Sequence, residues 1–316
     1  MGRQCVMVFL LVVASLFVLG LSQSVVVGAS GAQVGSAGPQ ATVDPNHSPG
    51  DRIILATYNM NYGVRDKAAL ARYVKIIRKA HPDVLAIQEG NAALFAFLKK
   101  VLAREYPHML FYPDSRRGPG GFAWLSKFPL QKAVVLPRSF GWFTTPMVRV
   151  RLGTRELLLV NVHLRATIPP KKADFKTMLQ EFIVTEKIRA KEIRFIHSRM
   201  PAGLPTVILG DFNTISTLNV PTFLRANGFA DSFASAWANA DSHPSWHWFR
   251  DGKQWRFRID YIWHNACFKT VTSRILAEGP SDHYPVVSEL KLIPAQPRTS
   301  TTQPAASSAS PDRRNP

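Results

Sequence analysis

Cysteine is nearly absent from this chain of 316 residues, which contains only Cys5 and Cys267. Two cysteines exclude a disulfide-stapled scaffold and a cysteine-rich zinc site. Acidic residues are also scarce, because 21 Asp and Glu stand against 39 Lys and Arg, giving a formal net charge of +18. A folded core does not need this excess. It favours a polyanionic partner such as nucleic acid, an anionic membrane surface or a phosphorylated substrate.

The overall composition is that of a globular protein, with 46% hydrophobic and 19% charged residues. This balance excludes a collagen, a coiled coil and a chain that is disordered throughout. The length suits one large domain or two ordinary ones.

The first 29 residues have the pattern of an export signal. Arg3 is followed by an apolar run from Val6 to Leu21, and Val27-Gly28-Ala29 offers the small or apolar residues that a signal peptidase reads. The sequence therefore predicts a secreted or periplasmic protein. The apolar run is also long enough to serve as an uncleaved membrane anchor, so this alternative stays open.

Two further segments are predicted to lie outside the folded domain. Residues 30–50 are rich in Gly, Ala, Ser and Pro and are predicted to form a flexible linker. Residues 294–316 form a tail rich in Pro, Ser and Thr, predicted to be disordered because it has little apolar surface to bury. The folded domain is then 51–293. Only four of the basic and two of the acidic residues lie outside it, so an excess of +16 belongs to the domain.

Short apolar runs alternate with helical patterns through this domain. Residues 66–80 and 174–199 show helical periodicity, and the second places Ile193 and Ile196 on an apolar face with Lys and Arg opposite. The mixture predicts a layered α/β domain. The predicted strands are Ile53–Tyr58, Val84–Gln88, Phe122–Ser126, Met147–Leu152, Leu157–His163, Thr206–Leu209, Ile259–His264 and Val286–Leu290.

Polar residues stand at the ends of five of these strands or follow them directly. Each alone is compatible with a turn, a helix cap or a buried structural histidine. Together they predict a rigid cup of carboxylates, amides and imidazoles at one edge of the sheets, and such oxygen ligands suit Mg²⁺, Mn²⁺ or Ca²⁺ better than zinc. The residues are Asn59, Glu89, His163, Asp211 with Asn213, and Asp260, and the loop residues Asp282 and His283 join them.

This ordered set resembles the endonuclease/exonuclease/phosphatase superfamily. The resemblance extends over nearly all of 51–293 and implies an α/β, or α+β, four-layer αββα sandwich of two packed mixed sheets flanked by helices. The matching segments are Ala56-Thr57-Tyr58-Asn59-Met60, Asp83–Glu89, Gly121–Pro129, Val160-Asn161-Val162-His163-Leu164, Ile208–Asn213, Arg258–Ile262 and Ser281–Val286.

The resemblance also implies roles for the polar residues. Glu89 is the main metal ligand, with Asn59 beside it and Asp282 as a further carboxylate, for one or two Mg²⁺ or Mn²⁺ ions. Asp211 orients or deprotonates the attacking water or assists the leaving group. Asn213 positions the water or a phosphate oxygen. His283 contacts the phosphate and is held by Asp260, while His163 acts from the opposite side and has no identifiable acidic partner in the sequence.

Basic and aromatic residues bear on the substrate. Arg116, Arg117 and Arg165 flank the motifs and are candidates to contact a phosphate backbone. Residues 237–263 contain five of the seven tryptophans. Such residues suit stacking on bases, insertion into a membrane interface, or packing beneath the last strands.

The leading interpretation is an exported, monomeric, divalent-metal-dependent phosphodiesterase, a nuclease whose partner is DNA or RNA. A sphingomyelinase or phospholipase C-like enzyme acting on phospholipid at an anionic membrane, and an inositol-phosphate phosphatase, are the alternatives. A non-enzymatic polyanion-binding surface protein is disfavoured, because no catalytic position of the family is missing.

Overall fold

The computed structural model describes residues 51–61, 67–113, 121–168, 174–250 and 253–294. The predicted export signal and linker lie outside these ranges, as do Arg116, Arg117 and all of the predicted tail beyond Pro294. Among the helices that the structure describes, none combines the length and apolarity needed to cross a membrane.

Two six-stranded mixed sheets form the centre of the described domain. The first has the strand order β13-β14-β1-β2-β4-β3 and the second β5-β6-β7-β8-β12-β9, while β10 and β11 form a separate hairpin. The strands are β1 (Arg52–Asn59), β2 (Val84–Gly90), β3 (His108–Tyr112), β4 (Gly121–Ser126), β5 (Leu130–Leu136), β6 (Thr145–Leu152), β7 (Arg155–His163), β8 (Thr206–Asp211), β9 (Ala230–Asp231), β10 (Trp246–Arg250), β11 (Lys253–Phe257), β12 (Asp260–His264), β13 (Phe268–Ile275) and β14 (Val286–Leu292). In each sheet one pair is parallel, β1 with β2 and β7 with β8.

Helices cover the outer faces of both sheets. The helices are α1 (Lys67–Ala80), α2 (Ala92–Leu102), α3 (Phe175–Arg199), α4 (Asn219–Ala226) and α5 (Ser232–Ala236), with a 3₁₀ turn at Ala240–Ser242. One core cluster joins α1 and α2 to the first sheet, a second joins α3 and α4 to the second sheet, and a third lies between the sheets. The predicted four-layer αββα sandwich is confirmed.

The central strands are buried on both faces, which explains their continuous apolar runs. Leu55 packs between the two sheets, while its neighbour Ala56 faces the helices. On β7 the same alternation places Leu159 between the sheets and Val160 against the helical layer. Successive side chains of a strand point to opposite faces, so a strand covered on both sides needs apolar residues at every position.

Helix α3 departs from the predicted separation of an apolar and a basic face. Ile193 and Ile196 are buried as expected, but Arg189 is buried as well. Its guanidinium donates to Oε2 of Glu186 at 2.8 Å and to the carbonyl oxygen of Arg165 at 2.8 Å. Arg189 is therefore a structural residue that ties the segment after β7 to the helix, because its buried charge is paired and hydrogen-bonded.

Candidate active site

The ends of the two parallel strand pairs meet at one edge of the sandwich. Asn59 is the last residue of β1, and Glu89 is the penultimate residue of the neighbouring β2. His163 and Asp211 end β7 and β8 and are partners in the strand register. The two pairs meet through Asn59, whose Nδ2 donates to Oε1 of Glu89 and to Oδ2 of Asp211, both at 3.0 Å.

A local irregularity of β2 turns Glu89 into this edge. Glu89 has φ of 56°, and the pairing of β2 with β4 is interrupted between Ile87 and Gly90. Gly90 is paired with Gly121 there, and a Cβ at Gly121 would overlap the carbonyl oxygen of Gly90. Such a bulge re-aims a side chain, and a left-handed glutamate is a strained conformation that the surroundings must hold.

A close strand contact places Asp211 beside His163. Gly210 has φ of 148°, and a Cβ at this position would overlap the carbonyl oxygen of Val162 on β7. Only glycine combines this backbone conformation with so close an approach. The residues that follow Gly210 and Val162 are Asp211 and His163, so the contact sets their separation.

Glu89, His163 and Asp211 form the first cluster at this edge, with their candidate ligand atoms all within 4.8 Å of one another. Nε2 of His163 lies 3.7 Å from Oε1 of Glu89 and 3.5 Å from Oδ2 of Asp211. Burial, together with the positive charge of His283, lowers the pKa of His163 to about 3. The imidazole is therefore neutral at neutral pH.

The ring of His163 is oriented by an aromatic contact. Its ring stacks on Phe143 with a centroid distance of 4.1 Å and an interplanar angle of 14°. Within the described part of the chain, Nδ1 of His163 is buried and has no hydrogen-bond partner. The sequence offered no acidic partner for this histidine, and the structure supplies Phe143 as the group that orients it.

Asp260 and His283 form a second cluster with Asp211, again with ligand atoms within 4.8 Å. Oδ2 of Asp260 accepts from Nδ1 of His283 at 2.9 Å and from Oγ of Ser245 at 2.7 Å. Burial by itself lowers the pKa of His283, but the charges of Asp260 and Asp211 outweigh it and raise this pKa to about 10. His283 therefore carries a positive charge at neutral pH.

Asp211 belongs to both clusters and is almost completely buried. Its Oδ1 accepts from the backbone N of Asn213 at 2.9 Å, and its Oδ2 lies 3.8 Å from Nε2 of His283. Burial raises the pKa of Asp211 to about 7, the charges of Asp260 and Glu89 add to this, and His283 partly opposes it. Further positive charge at this point would favour its ionised form.

Asn213 and Asp282 lie at the border of the clusters. Asn213 has φ of 51°, and its Nδ2 donates to the carbonyl oxygen of Leu164 at 3.1 Å. Asp282 belongs to neither cluster, and its Oδ2 accepts from Nε1 of Trp246 at 3.2 Å. The predicted metal-ligand role of Asp282 thus concerns a carboxylate that the structure places beside an indole rather than beside Glu89.

Arg165, which is predicted to bind the substrate, lies two residues after His163 in the sequence. Its guanidinium carbon lies 3.4 Å from the ring centroid of Trp142. Its backbone N donates to Oε2 of Glu192 at 2.9 Å. The stack fixes the plane of the guanidinium, and Nε of Arg165 is buried beneath it.

Four positioning residues were not predicted from the sequence. Phe143 orients His163, Ser245 holds Asp260, and Trp246 binds Asp282. Ser281 donates from Oγ to the carbonyl oxygen of Asn59 at 2.8 Å and accepts from the backbone N of His283 at 3.1 Å. Ser281 lies inside a matching segment, and Trp246 lies in the tryptophan-rich stretch 237–263. Phe143 and Ser245 had no signal, because they are distant in sequence from the residues that they hold.

The donor set fits a divalent cation. Glu89 and Asp211 turn two carboxylate oxygens toward the amide nitrogen of Asn59, with a neutral imidazole alongside. Carboxylates clustered in a buried site are unfavourable without nearby positive charge, and they are the ligands that Mg²⁺ and Mn²⁺ prefer. Asn59 faces the carboxylates with Nδ2, while its Oδ1 accepts from the backbone N of Asn61 at 2.9 Å. Its role as a metal ligand stays a prediction.

The αββα sandwich, with its carboxylates and two histidines at one edge, agrees with the family whose model the chain matches. The model of the endonuclease/exonuclease/phosphatase family matches residues 56–283, and the chain belongs to this family. Its members are hydrolases that act on phosphodiester bonds. No curated protein sequence matches the chain.

Solved structures share the fold at low sequence identity. An endonuclease/exonuclease/phosphatase from Beutenbergia cavernae is 20% identical, with a TM-score of 0.56 over 77% of this chain and 72% of the other. TDP2 from D. rerio, in complex with a single-strand DNA product, is 17% identical, with a TM-score of 0.58 over 76% and 99%. The human Nocturnin catalytic domain, with a bound sulfate anion, is 18% identical, with a TM-score of 0.57 over 77% and 95%.

Proposed function

We propose that this protein is a divalent-metal-dependent phosphodiesterase that cleaves DNA or RNA. The observation that carries the proposal is the meeting of Glu89, Asp211 and the Asp260–His283 pair at one edge of the sandwich. The group combines ionisable carboxylates, a charged imidazole and a neutral one within a few ångströms of each other. Family membership supports the reaction class.

In this proposal, different residues have different roles in the in-line hydrolysis of the phosphodiester. A bound Mg²⁺ or Mn²⁺ would be held by Glu89 with Asp211, and it would supply electrostatic stabilisation of the charge that builds on the phosphate oxygens. In this proposal Asp211 orients a water and accepts its proton. His283, charged and fixed by Asp260, donates to a non-bridging oxygen of the phosphate.

His163 contributes from the other side of the cluster. Because it is neutral, Nε2 either donates or accepts one hydrogen bond without adding charge. The stack on Phe143 fixes the plane of the ring, and the absence of an acid at Nδ1 among the described residues agrees with a neutral donor. The backbone N of Asn213 donates to Asp211, and in this proposal Asn213 positions the water or a phosphate oxygen.

Nucleic acid is the substrate that fits the charge of the chain. The excess of +16 over residues 51–293 exceeds what one phosphomonoester or one lipid head group would use. A polynucleotide offers a row of phosphates, and Arg165, stacked on Trp142, is placed to contact one of them. The neighbour from D. rerio was solved with a DNA product, which is in line with this choice for a protein of the same fold.

A specific observation favours a second candidate, a phospholipase C-like activity at a membrane. Trp248 and Phe249 are 42% and 68% exposed on the β10–β11 hairpin, beside the site. Exposed aromatic residues of this kind also suit a membrane interface. Both candidates share the export signal predicted in residues 1–29, and we propose that the protein acts outside the cytoplasm.

A substrate panel separates the candidates. The purified protein is incubated with single-stranded DNA, duplex DNA, RNA, sphingomyelin vesicles and inositol phosphates, in Mg²⁺, Mn²⁺ or EDTA, and products are separated by electrophoresis or chromatography. The proposal expects oligonucleotide cleavage that needs the metal and that Asp211→Asn abolishes. Cleavage of sphingomyelin or inositol phosphates alone would contradict it.

A further inference from the structure

The β10–β11 hairpin carries a row of aromatic rings on one of its faces. Cross-strand partners in the register are Trp246 with Phe257 and Trp248 with Trp255. Directly opposed residues of an antiparallel pair point to the same side, so these four side chains share one surface, here called the aromatic face. Phe249, which is paired with Gln254, lies on the other side of the hairpin.

The rings of the aromatic face are nearly parallel. The ring of Trp246 makes an angle of 30° with Trp248 and of 14° with Phe257, at centroid distances of 6.2 Å in both cases. The ring of Trp255 makes an angle of 27° with Phe257 at 6.4 Å. Rings aligned in this way present a series of flat surfaces with a common direction, which is the geometry that successive stacked bases require.

One end of the aromatic face is built into the active site. Trp246 forms a β-bridge with His283, and their ring centroids are 6.4 Å apart. Nε1 of Trp246 donates to Asp282, and the backbone N of His247 donates to the carbonyl oxygen of Asp282 at 2.9 Å. The face therefore starts beside His283, which the proposed function assigns to the phosphate, and continues outward to Trp248, about 7 Å further along the strand.

The position of the rings favours unpaired bases over a lipid surface. Trp246, Trp255 and Phe257 are only partly exposed and lie against one another, while Phe249, which is more exposed than Trp248, lies on the opposite side of the hairpin. Insertion into a membrane would be led by Phe249. A polyanion held by the positive domain would instead lay its bases on the rings that adjoin the scissile phosphate.

We propose that the aromatic face binds two successive unpaired bases of a single-stranded nucleic acid next to the scissile phosphate. This inference rests on the proposed function and narrows it to single strands. A duplex does not present the faces of its bases, which are stacked inside the helix, so it would lose this contact. Trp246 and Phe257 would stack the base nearest the cleaved bond, and Trp248 and Trp255 the next one.

The test uses the full chain and three oligonucleotides of equal length: a single strand, the same strand in a duplex, and an abasic strand. Binding is measured by fluorescence anisotropy with proteins that also carry Asp211→Asn. Cleavage is measured in Mg²⁺ with proteins that retain Asp211. The variants are Trp248→Ala and Trp255→Ala, with Trp248→Phe as the conservative change. Phe249→Ala is the matched control, because it removes a more exposed aromatic residue from the opposite side of the same hairpin.

Trp248→Ala and Trp255→Ala are each expected to weaken binding of the single strand by about ten-fold, the scale of one stacked base. Trp248→Phe should restore most of this affinity, and Phe249→Ala should bind like the parent protein. The abasic strand should bind weakly to every variant and show no dependence on Trp248. The wild-type protein should cleave the single strand faster than the duplex.

Different failures have different meanings. If the wild-type protein cleaves oligonucleotides but Trp248→Ala and Trp255→Ala bind the single strand normally, the stacking inference is wrong and the proposed function stands. If no oligonucleotide is cleaved, both are wrong. A third outcome is that Trp248→Ala and Phe249→Ala weaken binding to vesicles of sphingomyelin and phosphatidylserine equally, without changing the affinity for the single strand. In that case the hairpin is a membrane-binding element. Circular dichroism of each variant shows whether the fold is intact.

Discussion

Oδ2 of Asp260 lies 2.9 Å from Nδ1 of His283, and this contact sets the charge of the candidate active site. It fixes the ring of His283 so that Nε2 is turned toward Asp211, 3.8 Å away. It also keeps His283 charged in a buried position, where an imidazole would otherwise be neutral. The acid thus determines both the direction and the protonation of the histidine.

Substitution of His283 or of Asp260 should separate the contribution of the imidazole itself from that of its carboxylate partner. We expect His283→Ala to lower kcat/KM by at least about 10²-fold, the scale of one positioned acid–base or oxyanion group. Asp260→Asn should retain more activity, because His283 is still present but has lost its charged partner. Steady-state kinetics on an oligonucleotide would measure both effects. Wild-type rates in both variants, with an inactive Asp211→Asn, would show that the pair has no catalytic role.

Metal dependence should follow the carboxylate of Glu89. Activity is expected to disappear in EDTA and to return with Mg²⁺ or Mn²⁺. Glu89→Gln removes a charged ligand, so the Mg²⁺ concentration for half-maximal activity should rise by at least about ten-fold, within the range seen when charged metal-site contacts are lost. Glu105→Gln is the control, since Glu105 forms an exposed ion pair with Arg78. Full activity after exhaustive chelation would rule out a metal-dependent mechanism.

The close contact at Gly210 should be essential for folding of the site. Gly210→Ala combines an unfavourable φ with overlap of Val162, so we expect a loss of more than about 4 kcal/mol in the free energy of unfolding, or failure to fold. Gly203→Ala is the matched control, because Gly203 has φ of 80° but no atom within 4 Å of an added Cβ. It should cost about 1–2 kcal/mol. If Gly210→Ala and Gly203→Ala lowered the free energy of unfolding in urea equally, the close approach of the strands at Gly210 would not be what requires glycine there.

Glu192 should make the stability of the fold depend on pH. Burial raises the pKa of Glu192 from 4.5 to about 7, although the backbone N of Arg165 and the charge of Arg189 oppose this. Between these values the unfolded chain has released the proton and the folded chain retains it, so stability falls as pH rises from 4.5 to 7. Glu192→Gln cannot ionise. Its stability relative to wild type should therefore rise by up to about 3 kcal/mol across this window and stay constant above it.

Urea unfolding at several pH values measures this difference. The expected result is a gap between Glu192→Gln and wild type that widens from pH 4.5 to 7. Glu105→Gln, at an exposed position, should show no such trend. A gap that stays constant between pH 4.5 and 7 would mean that Glu192 ionises in the folded protein as readily as in the unfolded chain.

The buried parts of the fold were predictable from the sequence, and the exposed edges were not. All eight predicted strands are present, because most of their residues are apolar and buried in the two sheets. The missed strands lie at the margins. Leu130–Leu136 is mostly exposed, and Phe268–Ile275 is interrupted by a register shift between Thr270 and Thr272. Neither has a clear apolar pattern.

The same distinction applies to the site. Asn59, Glu89, His163 and Asp211 could be identified because they end buried strands, and parallel strands bring such ends together. The supporting groups could not be identified, since Phe143 and Ser245 reach their partners only through tertiary contacts. The stack of Arg165 on Trp142 is of the same kind.

The proposal that the substrate is a nucleic acid is tested most directly by the dependence of oligonucleotide binding on salt concentration. Asp211→Asn protein is titrated with a single-stranded oligonucleotide between about 50 and 200 mM salt at fixed Mg²⁺, and each neutralised phosphate contributes about −0.7 to the log–log slope. A handful of contacts predicts a slope of about −2 to −4, reduced by up to about 0.7 in Arg165→Met if this residue binds a phosphate. A slope near zero, together with cleavage of sphingomyelin vesicles by the active protein, would contradict the account.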